Sequence, residues 1–262
     1  MTMTYRGTTA LITGASAGLG EEFAEELAAR GADVVLVARR ADRLDDLADR
    51  LGTEYGVTAT AVAMDLATPD AAASVRAALV DRGLTIQTLI NNAGFGMRGA
   101  LLEADPERTA QMVQLNIGTL TALTREFLPD LVSAGTGALV NIASVAAYQP
   151  CPNMAVYGAT KAYVLSLTEA LAYETRRSGL RVLAVSPGAT ATEFFDVAGG
   201  APDAASGRFQ TPQQVVARTL RELDRRHGPA SFASGRVNAI TAKVAGILPR
   251  RLVLAAGGRV LR

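Results

Sequence analysis

Residues 8–20 read TTALITGASAGLG, an apolar run that leads directly into a cluster of glycines. The run predicts a strand, and Gly14, Gly18 and Gly20 predict a tight turn into a helix. Glycines at such a turn let the backbone approach a pyrophosphate, while the start of the helix supplies free N–H groups. A strand-to-helix turn without a ligand is the alternative, but the strand, turn and helix in this order favour a nucleotide site.

Outward from this turn, strand-like and helix-like segments alternate, which is typical of a parallel sheet covered by helices on both faces. Apolar runs predict six strands, at residues 8–13, 33–38, 58–63, 87–91, 138–142 and 180–186. Helical patterns lie between them, including one from residue 21 to 30 and one region from about 107 to 133. With 262 residues and no linker or repeat, we expect a single α/β domain with a Rossmann-type doubly wound sheet.

Composition argues against several other classes of protein. The formal net charge of +1 gives no electrostatic footprint for nucleic acid. One cysteine and one histidine, Cys151 and His227, provide no intrachain disulfide, no metal cluster and a poor basis for a histidine triad. The N-terminal residues carry no secretory signal pattern, and the apolar runs are too short or interrupted to span a bilayer. We therefore expect a cytoplasmic protein.

The end of the second predicted strand bears on the choice of cofactor. An acidic side chain at this position binds the ribose 2′-hydroxyl of NAD. Here the sequence is Ala38-Arg39-Arg40, with two guanidinium groups and no acid. Arginine can hold a 2′-phosphate in a bidentate manner, so NADP(H) is favoured over NAD(H). The alternative is a solvated arginine pair at the end of the strand.

A tyrosine and a lysine stand four residues apart, as Tyr157 and Lys161, in residues 155–177, which predict one long helix. This spacing places both side chains on one helix face. A free phenol titrates near pH ~10, and a nearby positive charge lowers that pKa towards the range useful for proton transfer. Alone, the pair is equally compatible with a solvated surface contact.

Taken together, these motifs resemble the short-chain dehydrogenase/reductase family. The resemblance covers about residues 6–195. It is carried by TGASAGLG at 13–20, NNAG at 91–94, Asn116, Ser144, the Tyr157-x-x-x-Lys161 spacing, and PGATAT at 187–192.

The resemblance implies a role for each matched residue. Tyr157 is the expected general acid or base, and Lys161 is expected to lower its pKa and hold the nicotinamide ribose. Ser144 is expected to orient the substrate oxygen, and Asn116 to hold a water that links Lys161 to solvent. The implied cofactor-binding residues are Gly14, Ser16, Gly18, Leu19, Gly20, Arg39, Asp65, Leu66, Asn92, Ala93, Gly94, Tyr157, Lys161, Pro187, Gly188 and Thr192.

Residues 187–210 interrupt the alternation and predict a substrate lid, in which Phe194 and Phe195 either cover the substrate or belong to the core. Apolar residues surround the expected pocket: Phe95, Met97, Ala147, Tyr148 and Met154. We therefore expect a hydrophobic ketone or aldehyde to be interconverted with its alcohol. The alternative function is a catalytically silent nucleotide-binding regulator or scaffold, which has no need of the complete catalytic set.

The C-terminal segment, residues 225–262, contains no acidic residue. A basic amphipathic segment can make weak contact with an anionic membrane surface. Equally, apolar residues such as Val244, Ile247 and Leu248 could pack against a partner subunit. The closing GGRVLR does not resemble the terminal strand that family members often use in tetramers, so a homodimer is favoured over a tetramer.

Overall fold

A parallel sheet of seven strands forms the centre of the protein. The computed structural model describes residues 3–194, 198–199, 209–225, 227–251 and 253–254. The strands are β1 (Thr9–Thr13), β2 (Asp33–Ala38), β3 (Ala59–Ala63), β4 (Thr88–Asn91), β5 (Ala138–Ile142), β6 (Arg181–Ser186) and β7 (Ser231–Ala233). They lie in the order β3-β2-β1-β4-β5-β6-β7, so the winding reverses between β1 and β4 and leaves a crevice at their carboxyl ends. The predicted Rossmann-type doubly wound fold is confirmed.

Helices cover both faces of this sheet because both faces are apolar. The helices are α1 (Gly18–Ala29), α2 (Ala41–Tyr55), α3 (Ala71–Val80), α4 (Pro106–Val113), α5 (Leu120–Ala134), α6 (Ala155–Glu174), α7 (Pro212–Leu223) and α8 (Arg236–Ile247). Neighbouring strand residues point to opposite faces. Ile12 packs in the core shared with α1, α2 and α7, whereas Leu11 packs in the core shared with α3, α5 and α6. Within the part of the chain that the structure describes, no helix is long and apolar enough to cross a membrane.

A chain of buried polar side chains ties the centre of the sheet to the helices on one face. The Asn91 side-chain amide donates to the Asn141 side-chain oxygen (2.9 Å) and to the Thr124 hydroxyl (3.0 Å). The Asn141 amide donates to the Thr168 hydroxyl (2.9 Å). These bonds fix α6 against β5, and α6 is the helix that carries Tyr157.

Three details differ from the sequence-based expectations. Helix α1 begins at Gly18, not at residue 21, because the last glycines of the turn already belong to its first turn. The helical region expected at 107–133 is divided by a π-helical turn, Gln114–Thr119, between α4 and α5. Strand β7 was not predicted, since it has only three residues and its apolar content is a single phenylalanine, Phe232.

Candidate active site

The turn between β1 and α1 fits a pyrophosphate group through its backbone. Gly18 has a φ of 62°, in the left-handed region where side chains are strained. A β-carbon on Gly20 would overlap the carbonyl oxygen of Gly14, so no larger residue fits there. Ala17 precedes the helix and has no side-chain group that can cap it, which leaves the first N–H groups of α1 for a ligand. The residues present therefore fit a dinucleotide at the predicted position.

The segment after β4 holds this turn in place. The side-chain amide of Asn92 donates to the carbonyl oxygens of Thr13 (2.9 Å) and Gly14 (3.3 Å). In return, the Thr13 hydroxyl accepts from the backbone N–H groups of Asn92 (2.9 Å) and Ala93 (3.0 Å). Asn92 thus secures the glycine turn, a role that the sequence analysis did not assign to it.

The end of β2 brings Arg40 to the glycine turn. Arg40 donates to the Ser16 hydroxyl (3.0 Å) and to the Ser16 carbonyl oxygen (3.2 Å), whereas Arg39 is exposed beside it. After β3, the Asp65 carboxylate accepts from the backbone of Ala67, and the Leu66 side chain is buried. The expected contact of Asp65 and Leu66 with an adenine ring stays a prediction.

Helix α6 presents Tyr157 and Lys161 from one face, as their spacing predicts. Both are buried, with 7% and 5% of their surface exposed. The Lys161 ammonium lies 5.9 Å from the centre of the Tyr157 ring and donates to the carbonyl oxygen of Ile142 (2.8 Å). Ser144 follows the end of β5, and its side chain hydrogen-bonds Tyr157. The structure therefore brings these three predicted catalytic residues together.

Burial controls the protonation of this pair. Desolvation raises the pKa of Tyr157 from 10.0 to about 12, and the smaller effect of the Ser144 hydrogen bond opposes it. Desolvation also lowers the pKa of Lys161 from 10.5 to about 8. The pKa of Tyr157 is therefore raised and not lowered as expected, because the cost of burying a phenolate is the largest effect. The expected contribution of Lys161 stays a prediction. Tyr157 consequently keeps its proton at neutral pH.

Asn116 lies in the π-helical turn, and its side chain is fully engaged. Its amide donates to the carbonyl oxygen of Phe95 (2.9 Å) and to the Thr160 hydroxyl (3.1 Å), and its oxygen accepts from the Phe95 N–H (3.1 Å). Thr160 in turn donates to the carbonyl oxygen of Tyr157 (2.8 Å). The extra residue of a π turn re-aims a side chain, and such turns are frequent at functional sites. The predicted water at Asn116 stays a prediction.

Residues 187–194 form the opposite wall of the groove. Pro187 is buried, and a β-carbon on Gly188 would overlap the side chain of Asn238, so α8 closes this wall from behind. The methyl group of Thr192 lies 2.9 Å from where a β-carbon on Gly18 would stand. The wall therefore faces the glycine turn directly.

Beyond Thr192, two side chains reach opposite ends of the site. The Glu193 carboxylate pairs with Arg40 (2.8 Å) and Arg43 (2.7 Å). The Phe194 ring lies 5.4 Å from the Tyr157 ring, centre to centre. Phe195, together with residues 196–197 and 200–208, lies outside the described residues.

A small, mainly apolar recess lies beside Tyr157, and Arg98 and Thr109 are the polar residues of its lining. Its lining includes Tyr157 and the expected Met97 and Met154. Leu101 and Met112 also line it, and the sequence analysis missed both because they lie outside the motifs. No sequence motif marks three further residues of the site, because each acts through a partner that is distant in sequence or specific to the fold: Thr160, Arg43 and Glu193.

A nucleotide groove at the switch point of a doubly wound sheet, beside a buried tyrosine, lysine and serine, defines a nicotinamide-dependent oxidoreductase. The chain belongs to the short-chain dehydrogenase/reductase family, because the family model described as short chain dehydrogenase matches residues 8–199. The protein is accordingly an NAD(P)-dependent enzyme of this family.

Three known proteins illustrate the similarity. Sulfoacetaldehyde reductase 2 of Chromohalobacter salexigens is 38% identical over 78% of this chain and 82% of its own length. A short-chain dehydrogenase from Sphingobium yanoikuyae, solved in complex with NADPH, is 38% identical with a TM-score of 0.80, covering 96% of this chain and 93% of that one. A solved 7β-hydroxysteroid dehydrogenase is 27% identical with a TM-score of 0.86, covering 98% of this chain and 100% of that one.

Proposed function

We propose that the protein reduces a hydrophobic ketone or aldehyde to its alcohol, and catalyses the reverse reaction, with Tyr157 as general acid and base. The observation that carries this proposal is the buried Tyr157, which keeps its proton at neutral pH. Its side chain hydrogen-bonds Ser144 and lines the mainly apolar recess. A phenol that keeps its proton at neutral pH can donate it to a carbonyl oxygen that becomes an alkoxide, because the alkoxide is the stronger base.

Each catalytic side chain has a separate task in this proposal. NADPH, when bound, supplies the hydride that adds to the carbonyl carbon. The Ser144 hydroxyl orients the carbonyl oxygen, and the Tyr157 O–H bond breaks as its proton passes to that oxygen. Lys161 is largely protonated below a pKa of about 8, so its charge stabilises the phenolate that remains. Asn116 holds the Phe95 backbone against α6.

The test of the proton donor is Tyr157→Phe, which removes only the hydroxyl. We expect carbonyl reduction to fall by about 10²- to 10⁴-fold while NADPH binding persists. Turnover by the wild-type protein separates the enzyme from the alternative, a silent nucleotide-binding regulator on the same fold. A regulator would show no turnover in the wild-type protein with any member of a broad panel of ketones and aldehydes, and the proposal would then be abandoned.

For the cofactor, we propose NADP(H) in preference to NAD(H). Support comes from the absence of an acid at the end of β2 and from the two arginines, Arg40 and Arg43, that face the glycine turn and Glu193. The Sphingobium yanoikuyae relative is solved with NADPH. Titration of the protein with NADPH and with NADH tests this directly, and equal dissociation constants would contradict it.

For the substrate, the methionine and leucine side chains of the recess support a hydrophobic carbonyl compound. One relative is named a hydroxysteroid dehydrogenase and another a sulfoacetaldehyde reductase. The first name indicates an apolar substrate and the second an anionic one. A panel that includes bulky apolar ketones and sulfoacetaldehyde distinguishes them. Turnover of sulfoacetaldehyde alone would contradict the apolar assignment.

In this proposal residues 187–210 act as the lid, and the pairing of Gln210 with residues 189–191 closes its base.

We also propose a cytoplasmic homodimer whose helix α8 contacts an anionic membrane surface. Its larger apolar side chains point outward: Val237, Ile240 and Ile247 are 75%, 63% and 84% exposed, while its alanines are half-buried. No acidic residue occurs from residue 225 to 262, and Lys243 lies among the apolar positions. A two-fold contact through this face would bring like charges together, whereas anionic lipid headgroups complement them.

A further inference from the structure

The strongest unexplained contact in the site joins the lid to the cofactor end of the groove. The Glu193 carboxylate bridges two guanidinium groups, with one oxygen 2.8 Å from Arg40 and the other 2.7 Å from Arg43. Arg40 also donates to Ser16 in the glycine turn. Glu193 and Arg43 are 150 residues apart in sequence, so only the fold brings them together.

A carboxylate and a phosphate monoester compete for the same kind of partner. Both accept two parallel hydrogen bonds from a guanidinium fork, and the phosphate carries the larger negative charge. Glu193 is ionised at neutral pH because Arg43 and Arg40 hold its pKa below the usual range. Both oxygens of Glu193 are thus already bound to the two arginines that a 2′-phosphate would use.

We propose that Glu193 is a cofactor-specificity residue that occupies the Arg40–Arg43 anion site until a 2′-phosphate displaces it. The inference rests on the proposed use of NADP(H). NADPH must break two ion pairs to bind, whereas NADH has no 2′-phosphate and leaves them intact. Glu193 therefore reduces the advantage that the two arginines would otherwise give NADPH.

Displacement has a consequence at the other end of the site. Phe194 follows Glu193 directly, and its ring lies against Tyr157. In this proposal the backbone movement that accompanies the release of Glu193 also moves the adjacent Phe194, so the 2′-phosphate uncovers Tyr157. NADH lacks the group that triggers this movement.

The first experiment compares dissociation constants in Glu193→Gln and the wild type, measured by calorimetry with NADPH and with NADH. The amide keeps the size of the side chain and removes its charge. We expect NADPH to bind about threefold to tenfold more tightly, from the loss of two exposed ion pairs, and NADH to change by less than about twofold. Glu126→Gln is the matched control, because Glu126 pairs with Arg76 at a comparable exposure, on α5.

The outcomes separate this inference from the proposed cofactor. Weaker or unchanged NADPH binding in Glu193→Gln overturns the competition, and so does an equal gain for both nucleotides. If the wild-type protein binds both nucleotides equally, the NADP(H) proposal fails. The change in the NADPH dissociation constant caused by Glu193→Gln still shows whether the Glu193 carboxylate competes with the 2′-phosphate.

A second readout follows the lid without any turnover. The chain contains no tryptophan, so Phe194→Trp introduces a single reporter next to Tyr157. We expect adenosine 2′,5′-bisphosphate to shift its emission and adenosine 5′-monophosphate to leave it unchanged, since the two differ only in the 2′-phosphate. In the double variant Glu193→Gln/Phe194→Trp this difference disappears. Identical responses to the two nucleotides in the single variant would overturn the link between the phosphate and the lid.

Discussion

The ring of Phe194 lies 5.4 Å from the ring of Tyr157, tilted by 49°. This contact joins Phe194, the last described residue before residue 195, to the expected proton donor. The ring contact contributes to the burial of the phenol, and burial is the largest cause of the raised pKa of Tyr157. If residues 187–210 act as the proposed lid, Phe194 would therefore influence both access to Tyr157 and the pKa of its hydroxyl.

Phe194→Ala should expose the phenol. With less desolvation, we expect the Tyr157 pKa to fall, so the alkaline loss of kcat/KM for reduction should begin at a lower pH than in the wild type. KM for an apolar ketone should rise several-fold, because an aromatic contact is lost. Phe209→Ala is the control, since Phe209 is also aromatic and 44% exposed. Coincident pH profiles for Phe194→Ala and wild type would show that Phe194 does not shield Tyr157.

The two directions of the reaction should respond oppositely to pH. Reduction needs protonated Tyr157, which is present throughout the neutral range because its pKa is raised to about 12. Alcohol oxidation needs the phenolate, so its kcat/KM should increase by about tenfold per pH unit above neutrality, up to that pKa. Initial rates in both directions between pH 7 and 10 (~3 units) test this. An oxidation rate independent of pH would mean that another group accepts the proton.

Lys161 should make stability rise with pH. Its pKa is about 8 in the folded protein and 10.5 for the free side chain, so between these values the unfolded chain binds more protons. The difference in unfolding free energy between wild type and Lys161→Met should therefore grow in favour of the wild type above pH 8, by on the order of 3 kcal/mol in total. Denaturant unfolding at several pH values measures it. A flat difference for Lys161→Met would contradict the lowered pKa of this buried side chain.

Helix α8 should bind anionic vesicles weakly. We expect sedimentation with phosphatidylserine-containing vesicles, little with phosphatidylcholine alone, and loss of binding at high salt. Ile240→Ser/Ile247→Ser should abolish it, whereas Val80→Ser, at a 65% exposed position of α3, should not. Light scattering on the same variants reports the oligomeric state. A fall in mass for the α8 variant without any loss of vesicle binding would identify the face as a subunit interface.

Several features of the site were predictable because they depend on local chemistry. The glycine turn follows an apolar strand, and Tyr157 and Lys161 share a helix face by their spacing alone. The π turn around Asn116 was not predictable, since no residue pattern marks such a turn and the bonds of the Asn116 side chain to the Phe95 backbone arise only on folding. Strand β7 is too short to show a period of its own.

The sequence by itself determined the alternation of strands and helices, the position of the glycine turn and the shared helix face of Tyr157 and Lys161, because these depend on neighbours a few residues apart. The tertiary structure alone decided that Tyr157 is desolvated enough to keep its proton and that Glu193 meets Arg40 and Arg43. Burial and long-range ion pairs depend on which surfaces the sheet brings into contact. That information is spread over the whole chain, so no single motif contains it.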